Sequence, residues 1–485
     1  MMDALDYRVG CAWEPGDTSE AFNDMNPSDT RDVVTRFRYL SAAQVLKVLD
    51  AAAAAAPDWR AAAPIERGAI LSRAAQILRA SKAEIAHDVS RENGKTIGEA
   101  TVEVEKSADF LDFYAATARI PLGTLIADGR RNVRVMTVIE PVGVVLAITP
   151  YNDPILTPAR KLAPALIAGN PVILKVADHT PLAAYHITRA LCDAGLPGGV
   201  IGTVMTDRRT LNDILIGDPR IAAVSFTGST KVGLELQRQL AGRHVRLQAE
   251  MGGKNASVVM ADADLDLAIP TLAAASFAQA GQRCTATSRI VVEASIYDEV
   301  VRRLSAAAQS LRMGISTDPA TQIGPVVSEE HRSDIFRHID RAKKDGAQLV
   351  AGGGASDMEE LRHGYFVAPT VLANVTRIMP IWRDEVFGPV IAVHPVESFE
   401  EAVRAVNHSN YGLSASIFTT SLSAAQRFVD ETDTGQVAVN LPTSGWDVHQ
   451  PFGGFKASGS AFKEQGVEGL RFYTRIKTAA VRFGI

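Results

Sequence analysis

Three short segments, far apart in a chain of 485 residues, carry side chains that together perform acyl chemistry. Cys284 lies in Gly281-Gln282-Arg283-Cys284-Thr285-Ala286, just after the apolar stretch from Thr271 to Ala280. Its neighbours suit a reacting thiol better than a packing one. Glu250 lies in Gln248-Ala249-Glu250-Met251-Gly252-Gly253-Lys254, where paired glycines permit a sharp turn that leaves the carboxylate lining a cleft, as a base toward water. Asn152, in Pro150-Tyr151-Asn152-Asp153-Pro154, offers an amide to a developing oxyanion. A thiol, a carboxylate and an amide donor are the parts needed to oxidise an aldehyde through a thioester. Each alone has an ordinary alternative: a buried apolar cysteine, a strand-end surface glutamate, a polar turn.

The surrounding elements must bring these segments together. Ala42 to Trp59, Ile65 to Asn93 and Gly98 to Arg119 read as helices, with Asn93-Gly94 stopping the second. From Val142 onward short apolar runs alternate with helical patterns. Val142 to Ile148, Val172 to Val176, Gly199 to Met205, Ile221 to Phe226 and Val245 to Ala249 are the strands of one series. A second series starts at Ala256 to Met260 and is interrupted by the Gly-rich stretch from Gly346 to Gly364. The pattern predicts two doubly wound α/β domains joined near Glu250. The expected boundaries are 1–118 with 140–249 for the first and 250–440 for the second, with a returning segment 441–466 and β-rich segments in 119–139 and 467–485. The last strand has no following partner, which suggests pairing elsewhere, a subunit boundary being one place for it.

Composition is that of a globular protein: 46% hydrophobic and 22% charged residues, with a net charge of −5 and mixed signs. Nothing argues for a nucleic-acid or membrane partner, and no apolar run reaches a membrane span. Cys11, Cys192 and Cys284 form a sparse, odd set, which fits a reducing, cytoplasmic setting better than a disulfide framework. Cys192 reads as a packing residue and Cys11 as incidental. No metal-ligand spacing stands out.

Further segments suit a nucleotide. Phe226-Thr227-Gly228-Ser229-Thr230 follows a strand and opens a helix: Gly228 permits close backbone approach, and Ser229 caps the helix where free N–H groups favour a phosphate. Lys175 and Asp178 lie beyond the carboxyl end of a strand, placed to hold a ribose. The G-x-G-x-x-G fingerprint is absent after every predicted strand.

In order and spacing these segments resemble the aldehyde dehydrogenase superfamily over nearly the whole chain. Pro150-Tyr151-Asn152 is similar to its Pro-Trp-Asn motif, Leu174 to Pro181 to its Lys-Pro-Ser-Glu-x-Thr-Pro segment, and Phe226 to Gly233 to its Phe-Thr-Gly-Ser-Thr-x-x-Gly turn. Glu250 to Lys254, Gly281 to Cys284, Glu385 to Pro389 and Pro451 to Gly454 match further signatures. The resemblance implies Cys284 as nucleophile, Asn152 and the Cys284 N–H as oxyanion hole, and Glu250 as the base for deacylation. It implies Lys161 and Glu464 as proton relay, Lys175 and Asp178 on the adenosine ribose, Ser229 on the pyrophosphate, Glu385 on the nicotinamide ribose, and Phe387 beside the nicotinamide. It also implies that the first domain is a Rossmann-like NAD(P)-binding domain, the second the catalytic domain and the β-rich segments a small β oligomerisation element, in a homodimer or homotetramer. Tyr151 stands where the family has Trp, Val176 where it has Pro, and Asp178 where it has Glu. The shorter Asp178 leaves NAD against NADP open. Gln282 to Ala286 and the tail from Trp446 to Gly466 are closest to semialdehyde dehydrogenases of the 2-oxoglutarate semialdehyde type, and Arg283 is placed to receive an anionic substrate group. Two other readings are a CoA-acylating relative and a non-catalytic member. Retention of Glu250 speaks against the first, and retention of Cys284, Glu250 and Asn152 together against the second.

Overall fold

The computed structural model describes residues 7–9, 12–18, 20–120 and 123–484. Strands covered by helices on both faces need no polar face, and Val144–Ile148 and Asn255–Val259 are buried at every position. The first sheet sets Arg246–Glu250, Ile221–Thr227, Val144–Ile148, Val172–Lys175 and Ile201–Val204 side by side, all parallel. Two short antiparallel strands, Tyr7–Val9 and Ala12–Glu14, extend its far edge. The chain enters this sheet in the middle, at Val144–Ile148, winds outward to Ile201–Val204, and returns to the other side through Ile221–Thr227. That reversal opens a crevice beyond the carboxyl ends of Val144–Ile148 and Ile221–Thr227, where open parallel sheets bind ligands.

The second sheet runs Gln348–Ala351, Thr370–Ala373, Val390–Val396, Thr287–Glu293, Asn255–Val259, Ser414–Phe418, Gln436–Val439. Only its first pair is antiparallel. Each sheet has its own apolar core, one around Leu111, Leu162 and Leu174, the other around Val291, Trp382 and Phe418. The fold is therefore the expected pair of doubly wound α/β units.

The terminal strand does find a distant partner. Thr474–Arg482 pairs antiparallel with Val133–Pro141 of its own chain, from Thr474 opposite Pro141 to Arg482 opposite Val133, and Leu125–Ile126 joins the other edge. Its pairing partner precedes it by more than 330 residues, which hides the pairing from local pattern. The expected helix from Ile65 to Asn93 is two helices, Pro64–Ala80 and Lys82–Asn93, separated at Ser81. Asn93 does end the second, with Gly94 left-handed at φ 89°. Helices Leu156–Ile167 and Glu329–Lys344 are additions to the sequence reading. Cys192 packs against the first core, as expected of a packing residue. Cys11 lies outside the described residues. Among the described residues no helix is long and apolar enough to cross a membrane.

Candidate active site

Helix Leu265–Phe277 delivers the chain to a tight loop that carries Cys284, a free thiol. Gln279, Ala280 and Gly281 are left-handed, at φ 53°, 52° and 70°. Gly281 has no alternative, because a Cβ there would collide with the Gly388 carbonyl. Two non-glycine residues in this region are strained and persist only where neighbours over-determine them. Here the Gln279 N–H donates to Glu99 Oε1 at 2.7 Å and its side-chain amide donates to Asp153 Oδ1 at 3.2 Å. Beyond the thiol, Asn255 Nδ2 donates to the carbonyls of Cys284 (2.7 Å) and Ala286 (2.8 Å), and the Thr443 hydroxyl donates to the Thr285 carbonyl at 2.7 Å. The main chain is thus clamped on both sides while the Cys284 side chain lines the cavity. Burial, seconded by the Asp153 carboxylate, pushes the thiol up to about 12, and Arg160 acts in the opposite sense.

Asn152 lies in the turn after Val144–Ile148 and lines the same cavity. Its loop is anchored through backbone carbonyls: Asn93 Nδ2 donates to Tyr151 at 2.8 Å and Lys95 Nζ to Asn152 at 2.7 Å. Lys95 forms a fully buried ion pair with Glu103 and stands 3.4 Å from Asp153. The other Glu103 oxygen accepts from the Ile155 and Leu156 N–H groups, both at 3.0 Å. These are N–H groups at the start of helix Leu156–Ile167, which the helix itself leaves unpaired. The pair therefore fixes both the loop and the helix beneath it.

Glu250 ends the edge strand Arg246–Glu250 and is 3% exposed, with both carboxylate oxygens buried and unpartnered. Burial, then repulsion from Glu464, raises its pKa well above the carboxylate range, against attraction from Lys161 and Lys463. Behind it, Lys161 Nζ donates to Glu464 Oε1 at 2.5 Å and to Ser225 Oγ at 3.0 Å. Ser225 in turn donates to Gln248 Oε1 at 2.9 Å, forming a buried polar chain into the first sheet.

The crevice at the sheet reversal holds the nucleotide candidates. Gly228, Ser229, Glu385 and Phe387 line one cavity with Asn152 and Cys284. Lys175 and Asp178, 3.0 Å apart, line a second one at the same sheet edge. Ser229 caps helix Thr230–Leu240 as expected, accepting from the Val232 N–H. Glu385 Oε1 accepts from the Gly253 N–H at 2.9 Å, and its other oxygen occupies the space a Cβ on Gly252 would need. Burial raises Glu385 to about 7. The hydroxyls of Thr227 and Thr206, one in each cavity, are buried without a partner. Unspent polar groups along a crevice at the reversal fit a dinucleotide.

A separate funnel of about 380 Å³, in the size range of small-ligand sites, reaches Cys284 from the other side. Arg283, Arg160 and Lys106 line it. Arg160 is held between Phe452, 4.9 Å from the ring centroid, and Glu464, at 3.7 Å. Cys284, Asn152 and the nucleotide residues line these cavities and Arg283 the funnel, whereas Glu250, expected to line a cleft, is instead buried behind them with Lys161 and Glu464, both of its oxygens covered. Lys95, Glu103, Glu99, Asn255 and Arg160 were missed. The Asn93-Gly94-Lys95 run, read only as a helix stop, was the one local signal for the first of them.

The match to known proteins is as broad as the site. Residues 13–479 match the model of the aldehyde dehydrogenase family. An alpha-ketoglutarate semialdehyde dehydrogenase of Haloferax volcanii is 41% identical over 479 residues, 99% of each chain. A 2,5-dioxopentanoate dehydrogenase of Saccharolobus solfataricus is 37% identical over 469 residues, 96% of this chain and 97% of the other. A betaine aldehyde dehydrogenase from Staphylococcus aureus, solved in complex with NAD+, superposes with a TM-score of 0.95 at 30% identity, covering 99% of this chain and 94% of that one. A thiol, an amide, a buried carboxylate and a dinucleotide crevice converge in this chain, which belongs to the aldehyde dehydrogenase family and is an NAD(P)-dependent enzyme that oxidises aldehydes.

Proposed function

We propose that Cys284, Asn152 and Glu250 carry the reaction and that the substrate is a semialdehyde bearing a carboxylate, of the 2-oxoglutarate semialdehyde type. The observation that carries the substrate class is the pair of guanidinium side chains, Arg160 and Arg283, lining the funnel to Cys284. An aldehyde entering there presents its carbonyl to the thiol and its carboxylate to the arginines, whose planar forks suit that anion. The names of the two relatives above point to the same class.

Cys284 gives up its proton to solvent and attacks as the thiolate, forming the bond to the carbonyl carbon and a thiohemiacetal alkoxide that the Asn152 amide and the Cys284 N–H stabilise. NAD(P)+, when bound in the crevice, supplies the hydride acceptor that takes this adduct to the thioester. Glu385 holds the nicotinamide ribose, Phe387 flanks the ring, Ser229 meets the pyrophosphate, and Lys175 with Asp178 holds the adenosine ribose. Glu250 then takes a proton from water, whose oxygen attacks the thioester and releases the carboxylic acid and the Cys284 thiolate, and Lys161 with Glu464 relays that proton from Glu250 back toward solvent. A buried carboxylate without partners suits activation of water, and this favours hydrolysis over transfer to CoA. Assembly as a homodimer or homotetramer through the three-stranded sheet fits its exposed apolar side chains, Leu125 at 72% and Ile476 at 73%.

An initial-rate panel of carboxylated, phosphorylated, aliphatic and aromatic aldehydes tests the substrate class. Arg160→Ala and Arg283→Ala should each raise KM for a semialdehyde acid at least tenfold more than for an uncharged aldehyde. Equal effects on both substrates in both variants refute the class.

A further inference from the structure

We propose that Tyr39 selects the cofactor, by holding Asp178 toward the adenosine ribose so that NAD is accepted and its 2′-phosphorylated counterpart refused. This rests on the placement of the ribose at Lys175 and Asp178 given above. Tyr39 follows the hairpin Ala21–Met25 with Val33–Arg38, and that hairpin delivers it to the nucleotide cavity. It is firmly mounted. Its ring packs against Phe22 (centroids 4.5 Å apart) and Phe37 (6.1 Å), and its carbonyl accepts from the Thr18 hydroxyl at 2.8 Å. The next residue, Leu40, donates its N–H to the Met205 carbonyl at 2.9 Å, tying the segment to the sheet edge.

From this mount the phenol donates to Asp178 Oδ2 at 2.8 Å, while Lys175 Nζ donates to Oδ1 at 3.0 Å. Both oxygens of a short carboxylate are thus pinned, which offsets the missing methylene. The remaining charges leave nothing for a phosphate. Arg208 is paired with Glu235, and Asp207 accepts from the N–H groups of Arg209 and Thr210. Two cations face three carboxylates along this cavity, and each cation already has its partner. A 2′-phosphate would enter as a second anion beside a carboxylate that cannot swing away, whereas a 2′-hydroxyl finds the acceptor it needs. Like charge forced together is a strong device for refusing a ligand.

The test is kcat/KM with NAD and with NADP for the wild type, Tyr39→Phe and Asp178→Ala. Tyr39→Phe keeps the ring and its packing and removes only the donor. The wild type should prefer NAD by about 100-fold or more, the scale that a like-charge contact sets. Tyr39→Phe should cut that preference about tenfold, the value of one hydrogen bond to a charged group, through KM and with kcat for NAD within about twofold. A preference unchanged in Tyr39→Phe but lowered in Asp178→Ala overturns the role of Tyr39 and leaves the ribose placement standing. A preference unchanged in both variants overturns the two together. Fluorescence titration of the wild type with each cofactor stands independently of the variants, and NADP binding as tightly as NAD overturns the proposal.

Discussion

The thiol of Cys284 should be almost inert in the enzyme without cofactor, and the degree is calculable. Its surroundings move it from 9.0 to about 12, with burial first among the causes. That corresponds to a roughly thousandfold smaller thiolate fraction near neutral pH, or about 4 kcal/mol. The sign is fixed by the acid–base form: a raised thiol keeps its proton, so reactivity appears only as pH rises. Alkylation by iodoacetamide, followed as loss of activity, should climb about tenfold per pH unit from 7 to 10 without levelling, where an ordinary thiol levels near 9. The neighbours give the second handle. Asp153→Asn removes a negative neighbour and should speed alkylation at fixed pH, while Arg160→Ala removes the opposing cation and should slow it. A rate that levels at or below pH 9 without cofactor refutes this electrostatic account. So does an Asp153→Asn enzyme that alkylates no faster than wild type.

Two further outcomes are expected. Asn152→Ala should lower kcat by about 10²–10³ with little change in KM for cofactor, since one oxyanion donor is worth about 3–4 kcal/mol and the loop stays anchored through carbonyls that survive the substitution. A loss smaller than tenfold in single-turnover kinetics argues against Asn152 as the donor. Glu103→Gln leaves Lys95 buried without its ion-pair partner, facing only the more distant Asp153 and Glu99 carboxylates, and should cost about 3–5 kcal/mol in denaturant unfolding. Recovery of part of that loss in Lys95→Met/Glu103→Gln would mark the unpaired charge as its source, and a Glu103→Gln enzyme as stable as wild type would refute the reading.

The chemistry was legible where function forces residue types into a short segment. Cys284, Glu250 and Asn152 each sit among glycines, prolines or small residues that a turn requires, and the alternation of strands and helices fixed the fold class. What holds those residues was not legible. Asn255 reaches the Cys284 carbonyl across 29 positions, Lys95 reaches Asn152 across 57, and Tyr39 reaches Asp178 across 139. A side chain bonding to a distant carbonyl leaves no local pattern, since the carbonyl belongs to every residue alike. Helix Leu156–Ile167 is hidden for a different reason: it contains Pro158 and Pro164, a residue type that helix interiors disfavour. Pro158 lies in the first turn, whose N–H groups have no intrahelical partner in any case. Helix Glu329–Lys344 buries only Ile335, Ile339 and Ala342, too thin a stripe to stand out among its charges.

Glu250 is the last residue of one sheet, and Asn255, which clamps the nucleophile's backbone, is the first residue of the other. Four residues separate them. The buried carboxylate and the clamp on the Cys284 main chain are therefore the two ends of a single short strut between the sheets. Five Cα steps hold their Cα atoms within about 18 Å of each other, so the turn that ends on the carboxylate also bounds its distance from the thiol loop.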